Sequence, residues 1–144
     1  MGPEFVHETT VQVRYGETDQ MGVVYHANYL VYMEEGRTRF MESLGLPYHE
    51  LERRGFGLVV RKATLRFRAP ARYADQLTVR TRIDKVGGAS ILFAYEIHRG
   101  ADGAAVADGT TELACIDLRK PGRPVCMLPD DLRGAEPPAQ AGRS

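Results

Sequence analysis

Cysteine is scarce in this chain of 144 residues: Cys115 and Cys126 are the only two, and they lack the close C-x-x-C spacing of metal and redox sites. That usage suits a reducing compartment and argues against a disulfide-built scaffold, so both read as ordinary thiols. An excess of one charge is missing too, because 19 Lys and Arg balance 19 Asp and Glu for a formal net charge of +0. Nothing global therefore favours nucleic acid or an anionic membrane surface as the partner. No apolar run approaches the roughly 18 residues of a membrane-spanning helix, and the first residues lack a basic stretch followed by an apolar core. The expected location is the cytoplasm, without stable membrane insertion. His7, His26, His49 and His98 are scattered and form no ligand cluster, so no metal site is expected. A G-x-S-x-G elbow is absent as well, which disfavours α/β-hydrolase chemistry.

What is present fits one domain. Residues 1–129 read as that domain, with 1–6 a possible expression remnant unrelated to the rest of the chain. Residues 130–144 are rich in Pro, Gly, Ala and charge, with Leu132 the one large apolar residue, and are expected to form a mobile tail. Val11, Val13 and Tyr15 alternate with Gln12 and Arg14 in the two-residue period of a half-buried strand. The period then changes. Leu30, Met33, Arg37, Phe40 and Leu44 recur at three- and four-residue steps, which predicts a helix from Asn28 to Leu44, ended by Gly45 and Pro47. Gly36 in its middle costs roughly 1 kcal/mol against Ala, a penalty most easily offset where the backbone lies close against something flat, such as a sheet.

A short helix, Tyr48 to Arg54, precedes four strands: Leu58 to Arg68, Leu77 to Val86, Ala89 to Arg99 and Ala104 to Leu118. Gly87-Gly88 and Gly100 to Gly103 supply the turns. In the last strand Leu113 and Cys115 share one face while Ala114, Ile116 and Leu118 share the other, which predicts burial on both sides. The fold class is therefore α+β, an antiparallel sheet wrapped around one long central helix. One helix leaves much of such a sheet uncovered, and pairing with a second copy, edge to edge, would continue the sheet and create clefts between subunits.

The chemistry concentrates in Tyr15-Gly-Glu-Thr-Asp19-Gln-Met-Gly22-Val-Val-Tyr25-His26-Ala-Asn-Tyr29. This stretch ends a strand, carries a carboxylate through a glycine turn and opens the long helix. A helix N-terminus offers unpaired N–H groups and partial positive charge, so an oxygen that becomes negative during reaction is held there while Asp19 works beside it. That arrangement suits attack on a carbonyl. The plain alternative is that Asp19, preceding a Gly, merely caps turn amides. His26 alone would read as a solvated surface histidine, Tyr15 and Tyr25 as core or interface aromatics, and Glu35 as the partner of Arg39 four residues on, or of Arg37 across an interface. Arg61, Lys62, Arg66, Arg68 and Arg72 form the densest basic cluster, with alternation placing Lys62, Arg66 and Arg68 on one face and Arg61 on the other.

The string Tyr15-x-x-Thr18-Asp19-x-x-Gly22-x-Val24-Tyr25-His26-Ala27-x-Tyr29, with Glu34-Glu35-Gly36-Arg37-Thr38, Val59-Val60-Arg61-Lys62 and Phe67-Arg68-Ala69-Pro70-Ala71-Arg72, resembles the hotdog-fold acyl-CoA thioesterases of the 4-hydroxybenzoyl-CoA thioesterase type. The similarity is strongest to the short bacterial branch associated with the Tol-Pal envelope system and covers about Thr10 to Leu118. It implies hydrolysis of acyl-CoA to free acid and CoA without a cofactor. Asp19 would be nucleophile or general base, and the His26 N–H would bind the thioester oxygen while its side chain orients water or substrate. It further implies substrate contacts at Gly22, Tyr25, Val60, Arg61 and Lys62, with Arg61 or Lys62 facing CoA phosphates, in a homodimer or homotetramer. Glu17 departs from the pattern, since this branch often has Asp there. A non-catalytic acyl-CoA-binding module and another hotdog enzyme, such as an acyl dehydratase, are the competing readings. A dehydratase generally pairs a His with a carboxylate on the helix, whereas here the Asp precedes His26 in the turn.

Overall fold

The computed structural model describes residues 7–135; the possible remnant 1–6 and residues 136–144 of the expected tail lie outside the described residues. The chain runs β1 (His7–Gln12), a 3-10 turn (Tyr15–Glu17), α1 (Asn28–Ser43), α2 (Tyr48–Arg53), β2 (Phe56–Phe67), β3 (Gln76–Val86), β4 (Ser90–Arg99), β5 (Ala105–Asp117) and α3 (Asp130–Arg133). Five strands form one antiparallel sheet in the order β1-β3-β4-β5-β2. From α1 to β5 every boundary falls within two residues of the range read from periodicity. The first strand does not: it stops at Gln12, and Tyr15, expected to continue the alternation, stands 76 % exposed on the 3-10 turn. The backbone has already left the sheet at that point, so alternation no longer dictates a face.

Helix α1 presents Tyr29, Tyr32, Met33, Gly36, Arg37, Phe40 and Met41 to the interior and packs mainly against β1 and β3. Gly36 is where it comes closest to the sheet. A Cβ there would sit 2.6 Å from Thr81 Oγ1 and 2.7 Å from Val79 Cγ1, both on β3. Leu30, expected in the buried stripe, is exposed, because it lies on the flank of the helix turned away from those strands. Arg37 in the same stripe is only 8 % exposed, with Nη1 3.5 Å from the Tyr95 hydroxyl, which in turn lies 2.5 Å from Thr111 Oγ1. The guanidinium is thus lodged among hydroxyl groups beneath the helix.

Leu113, Ala114 and Cys115 are all buried, as two-sided burial of β5 requires. The chain after β5 provides part of that cover. The Asp117 N–H donates to the Pro124 carbonyl, the Cys126 N–H to the Cys115 carbonyl, and the Leu128 N–H to the Gly88 carbonyl. Residues 130–135, assigned on composition to the tail, continue this docking: α3 drives Leu132 fully into the core, and Asp131 pairs with Arg54 at 2.9 Å. A single leucine seated in a closed pocket outweighs a polar average in deciding whether a short segment packs. Among the described residues no helix is long and apolar enough to cross a membrane.

Candidate active site

Three turns in succession build the site. The first is the 3-10 turn, whose last residue, Glu17, is pinned from several directions. Its carboxylate accepts from the Arg14 N–H at 2.9 Å, from Arg14 Nε at 3.2 Å and from the Tyr32 hydroxyl on α1 at 2.9 Å. Its carbonyl accepts from the Tyr25 N–H and from Asn28 Nδ2, both at 2.9 Å. Burial raises the Glu17 pKa, but the bonds from the Arg14 backbone, Tyr32 and the Arg14 side chain outweigh it and hold the carboxyl below its ordinary value. Burial, reinforced by the same Glu17 contact, pushes the Tyr32 phenol up.

The second turn carries Asp19. Its N–H donates to the Val23 carbonyl at 2.8 Å and its carbonyl accepts from the Gly22 N–H at 2.9 Å. Gly22 closes the turn at φ +81°, a conformation that an L side chain rarely adopts. Asp19 Oδ1 accepts from the Met21 N–H at 2.9 Å and, at a longer 3.4 Å, from the Val23 N–H. The capping role and the chemical one thus divide between two oxygens. Oδ1 is held by the turn, while Oδ2 makes no hydrogen bond within the described residues, and the side chain stands exposed to solvent.

The third turn opens α1. Tyr25 and His26 are exposed with their rings 4.4 Å apart, and His26 also meets Phe67 of β2 edge-on at 6.3 Å. Phe67 packs in turn against Tyr29, at 5.7 Å. The Asn28, Tyr29 and Leu30 amides bond back to the Tyr25, His26 and Ala27 carbonyls. The amides of His26 and Ala27 themselves have no protein partner among the described residues, and no side chain caps the helix. Here the partial positive charge of a 16-residue helix meets open solvent beside the Asp19 turn.

Asp19, Gly22, Tyr25 and His26 are therefore gathered in one place. Val60, Arg61 and Lys62 are not gathered there within one chain: they lie about 20 Å along β2 from Phe67, the β2 residue that touches His26. The expected face of Arg61 also needs correcting, whereas Lys62 and Arg66 share a face as expected, opposite Glu112 and Asp108. A bulge between Val60 and Lys62 breaks the alternation, and Arg61 reaches Glu112 at 2.9 Å, the residue that stands opposite Lys62. The extra residue in the bulge resets which way each following side chain points. Arg68, too, is engaged, by Asp108. The basic residue that does lie against the site loop is Arg72, a member of the basic cluster that was passed over in favour of Arg61 and Lys62. Arg72 bridges Val23 in the backbone, and its Nη1 is 4.0 Å from where a Cβ on Gly22 would stand. Only the pairing of the β2–β3 connection with the site loop, Val24 N–H to Ala71 carbonyl at 2.8 Å, brings it there. Phe67 likewise stands in the string that carries the resemblance but was given no site role, since a single aromatic at a strand end has no distinguishing local signal. Glu35 pairs with Arg39 four residues on, as its spacing predicts, with Nε at 2.9 Å.

The chain resembles known proteins in sequence and in fold. The family model described as the thioesterase-like superfamily matches residues 13–135. The acyl-CoA thioesterase YbgC of Haemophilus influenzae is 34 % identical over 126 residues, covering 87 % of this chain and 90 % of that protein. Among solved structures, protein TT1821 of Thermus thermophilus superposes with a TM-score of 0.82 at 41 % identity, over 89 % of this chain and 95 % of that one. The DHNA-CoA thioesterase of Staphylococcus aureus superposes with a TM-score of 0.87 at 28 % identity, over 96 % and 93 % of the two chains.

Proposed function

The chain belongs to the thioesterase-like superfamily, and from that premise we propose that it hydrolyses acyl-CoA thioesters at the Asp19 turn. The observation that carries this reading is the meeting of a carboxylate that has one uncommitted oxygen with two unpaired amides at the start of α1. The thioester carbonyl oxygen accepts from the His26 and Ala27 amides, which stabilise the charge that develops as the carbonyl carbon becomes tetrahedral. Asp19 Oδ2 either attacks that carbon, expelling CoA thiolate and leaving an anhydride for water to open, or takes the proton of an attacking water. Both routes give free acid and CoA. The thiolate is a good leaving group, so no second acid is required. The Tyr25, Tyr29 and Phe67 rings suit the acyl side of the cleft, and Arg72 suits the phosphates of CoA, a reading that the ion pair held by Arg61 supports.

The enzyme acts as a homo-oligomer in this reading. Among the described residues the outer edge of β2 has no strand partner, and Val60 and Phe67, on the face of β2 towards the helix, are half exposed because α1 lies over β1 and β3. A second copy covers that face and carries Val60, Arg61 and Lys62 towards a neighbouring site. Two free thiols support placement in the cytoplasm.

The test is free-thiol release from a panel of acyl-CoA substrates by wild type and Asp19→Asn. The variant is nearly isosteric, and kcat should fall at least about a hundredfold with the fold retained. His26→Ala, which leaves its backbone donor in place, should cost less, roughly tenfold to a hundredfold. Asp19→Asn retaining most activity would remove Asp19 from the reaction, and wild type that binds but never turns over acyl-CoA would mark a binding module.

A further inference from the structure

The two cysteines sit on different segments of the chain, and nothing in the proposed hydrolysis uses them. The fold brings their sulfurs to 3.5 Å, the contact distance of two thiols. They meet because the chain after β5 turns back and lies antiparallel to the end of that strand. Ile116 bridges Val125, the Asp117 N–H donates to the Pro124 carbonyl, and the Cys126 N–H donates to the Cys115 carbonyl at 2.9 Å. Cys115 on β5 and Cys126 on the returning segment are thus directly opposite residues of an antiparallel pair. Such residues have Cα atoms about 4.5–5.5 Å apart, inside the range that a disulfide spans. Neither sulfur is bonded to the other, and both are free thiols.

We propose that Cys115 and Cys126 are an oxidation site, forming a reversible intrachain disulfide that fastens the segment after β5 to the sheet when a peroxide is present. Cys126 is partly accessible and Cys115 fully buried, so the oxidant meets Cys126 first. Burial, and then the contact with Cys126, pushes the Cys115 thiol up to about 12, which leaves Cys115 as the resolving partner rather than the first to react. Cys126 thiolate attacks one peroxide oxygen, the O–O bond breaks, and a sulfenic acid and hydroxide form. Cys115 sulfur then attacks the sulfenic sulfur, the S–S bond forms and water leaves. In sum, two thiols and one hydrogen peroxide give one disulfide and two waters, the electron pair passing from sulfur to oxygen. A dithiol reverses the step.

The consequence lies in what the returning segment carries. Leu128 and Leu132, both buried in the core, follow Cys126 directly and are otherwise held by the Leu128 N–H bond to Gly88 and the Arg54–Asp131 ion pair. A covalent link at Cys126 removes the freedom of this segment to detach in the unfolded chain.

Purified protein is treated with hydrogen peroxide and then digested with trypsin, which cleaves after Arg119 and so separates the two cysteines. The expected result is loss of both titratable thiols, a linked peptide pair containing Cys115 and Cys126, and full recovery on dithiothreitol. The melting temperature of the oxidised wild type should rise by a few degrees over the reduced form, while Cys126→Ser, similarly treated, should show no rise. Sulfinic or sulfonic acids without the linked pair, disulfides only between chains, or thiols that stay titratable in the folded protein each overturn the site. A linked pair with no rise in melting temperature overturns the fastening role.

Discussion

Glu17 holds more of the local architecture than Asp19, its neighbour in the motif. Asp19 answers two amides of its own turn, whereas Glu17 joins three pieces of chain: Arg14 before the turn, Tyr25 and Asn28 at the helix start, and Tyr32 one turn into α1. Its part in the site is positioning, since it fixes where the helix N-terminus stands relative to Asp19. Glu17→Gln keeps an acceptor but removes the charge facing Arg14 and Tyr32, and should cost on the order of 1–2 kcal/mol at neutral pH. The pH dependence has a definite sign. The folded pKa lies below the ordinary value of 4.5, so the unfolded chain binds more protons between the two values. The stability is fully present above the ordinary value and is lost as pH falls through the depressed one. Urea melts should therefore show wild type and Glu17→Gln well separated at neutral pH and converging in acid. A gap that does not change with pH would mean that the charge contributes nothing.

Among the elements, α1 depends on one glycine for its seating. Exchanging a mid-helix Gly for Ala ordinarily stabilises a helix by roughly 1 kcal/mol. Gly36→Ala should do the opposite. Its new methyl would fall 2.6 Å from Thr81 Oγ1 and 2.7 Å from Val79 Cγ1, neither of them the far end of a flexible chain, so helix and β3 must separate. Overpacking of this kind costs typically about 1–3 kcal/mol, and thermal melts of the variant should show a lower midpoint. A neutral or stabilised Gly36→Ala would show that α1 can ride higher on the sheet without loss. Strand β2 illustrates the other kind of local control, in which one extra residue at the Val60–Lys62 bulge turns Arg61 onto Glu112.

For the whole molecule the decisive feature is asymmetry of cover. Helix α1 lies over β1 and β3, whereas β2 is at the sheet edge with its strand-edge groups and much of its side-chain surface open. A dimer that pairs these edges buries Val60 and Phe67 and sets each site against a second copy. Light scattering should therefore give a mass of at least two chains at micromolar concentration, with a dimer of dimers as the larger form. A clean monomer that still turns over acyl-CoA would contradict a site completed by a second subunit.

Local chemistry was enough to place the helices and strands from α1 to β5, the glycine turns and the turn that carries the candidate residues Asp19 and His26, because periodicity, turn residues and a motif running from Tyr15 to Tyr29 act over short stretches of chain. The close seating of Gly36 was legible for the same reason: an unfavourable residue inside a strong helix pattern requires compensation nearby. Contacts between distant segments were another matter. Arg72 reaches Gly22 only through the pairing of two loops, Arg61 turns on a bulge, and Leu132 anchors what composition marked as tail. Cys115 and Cys126 meet only because the chain doubles back along β5. Each of these depends on register and on what fills the space beside a residue, which are properties of the packed chain rather than of any stretch of sequence read alone.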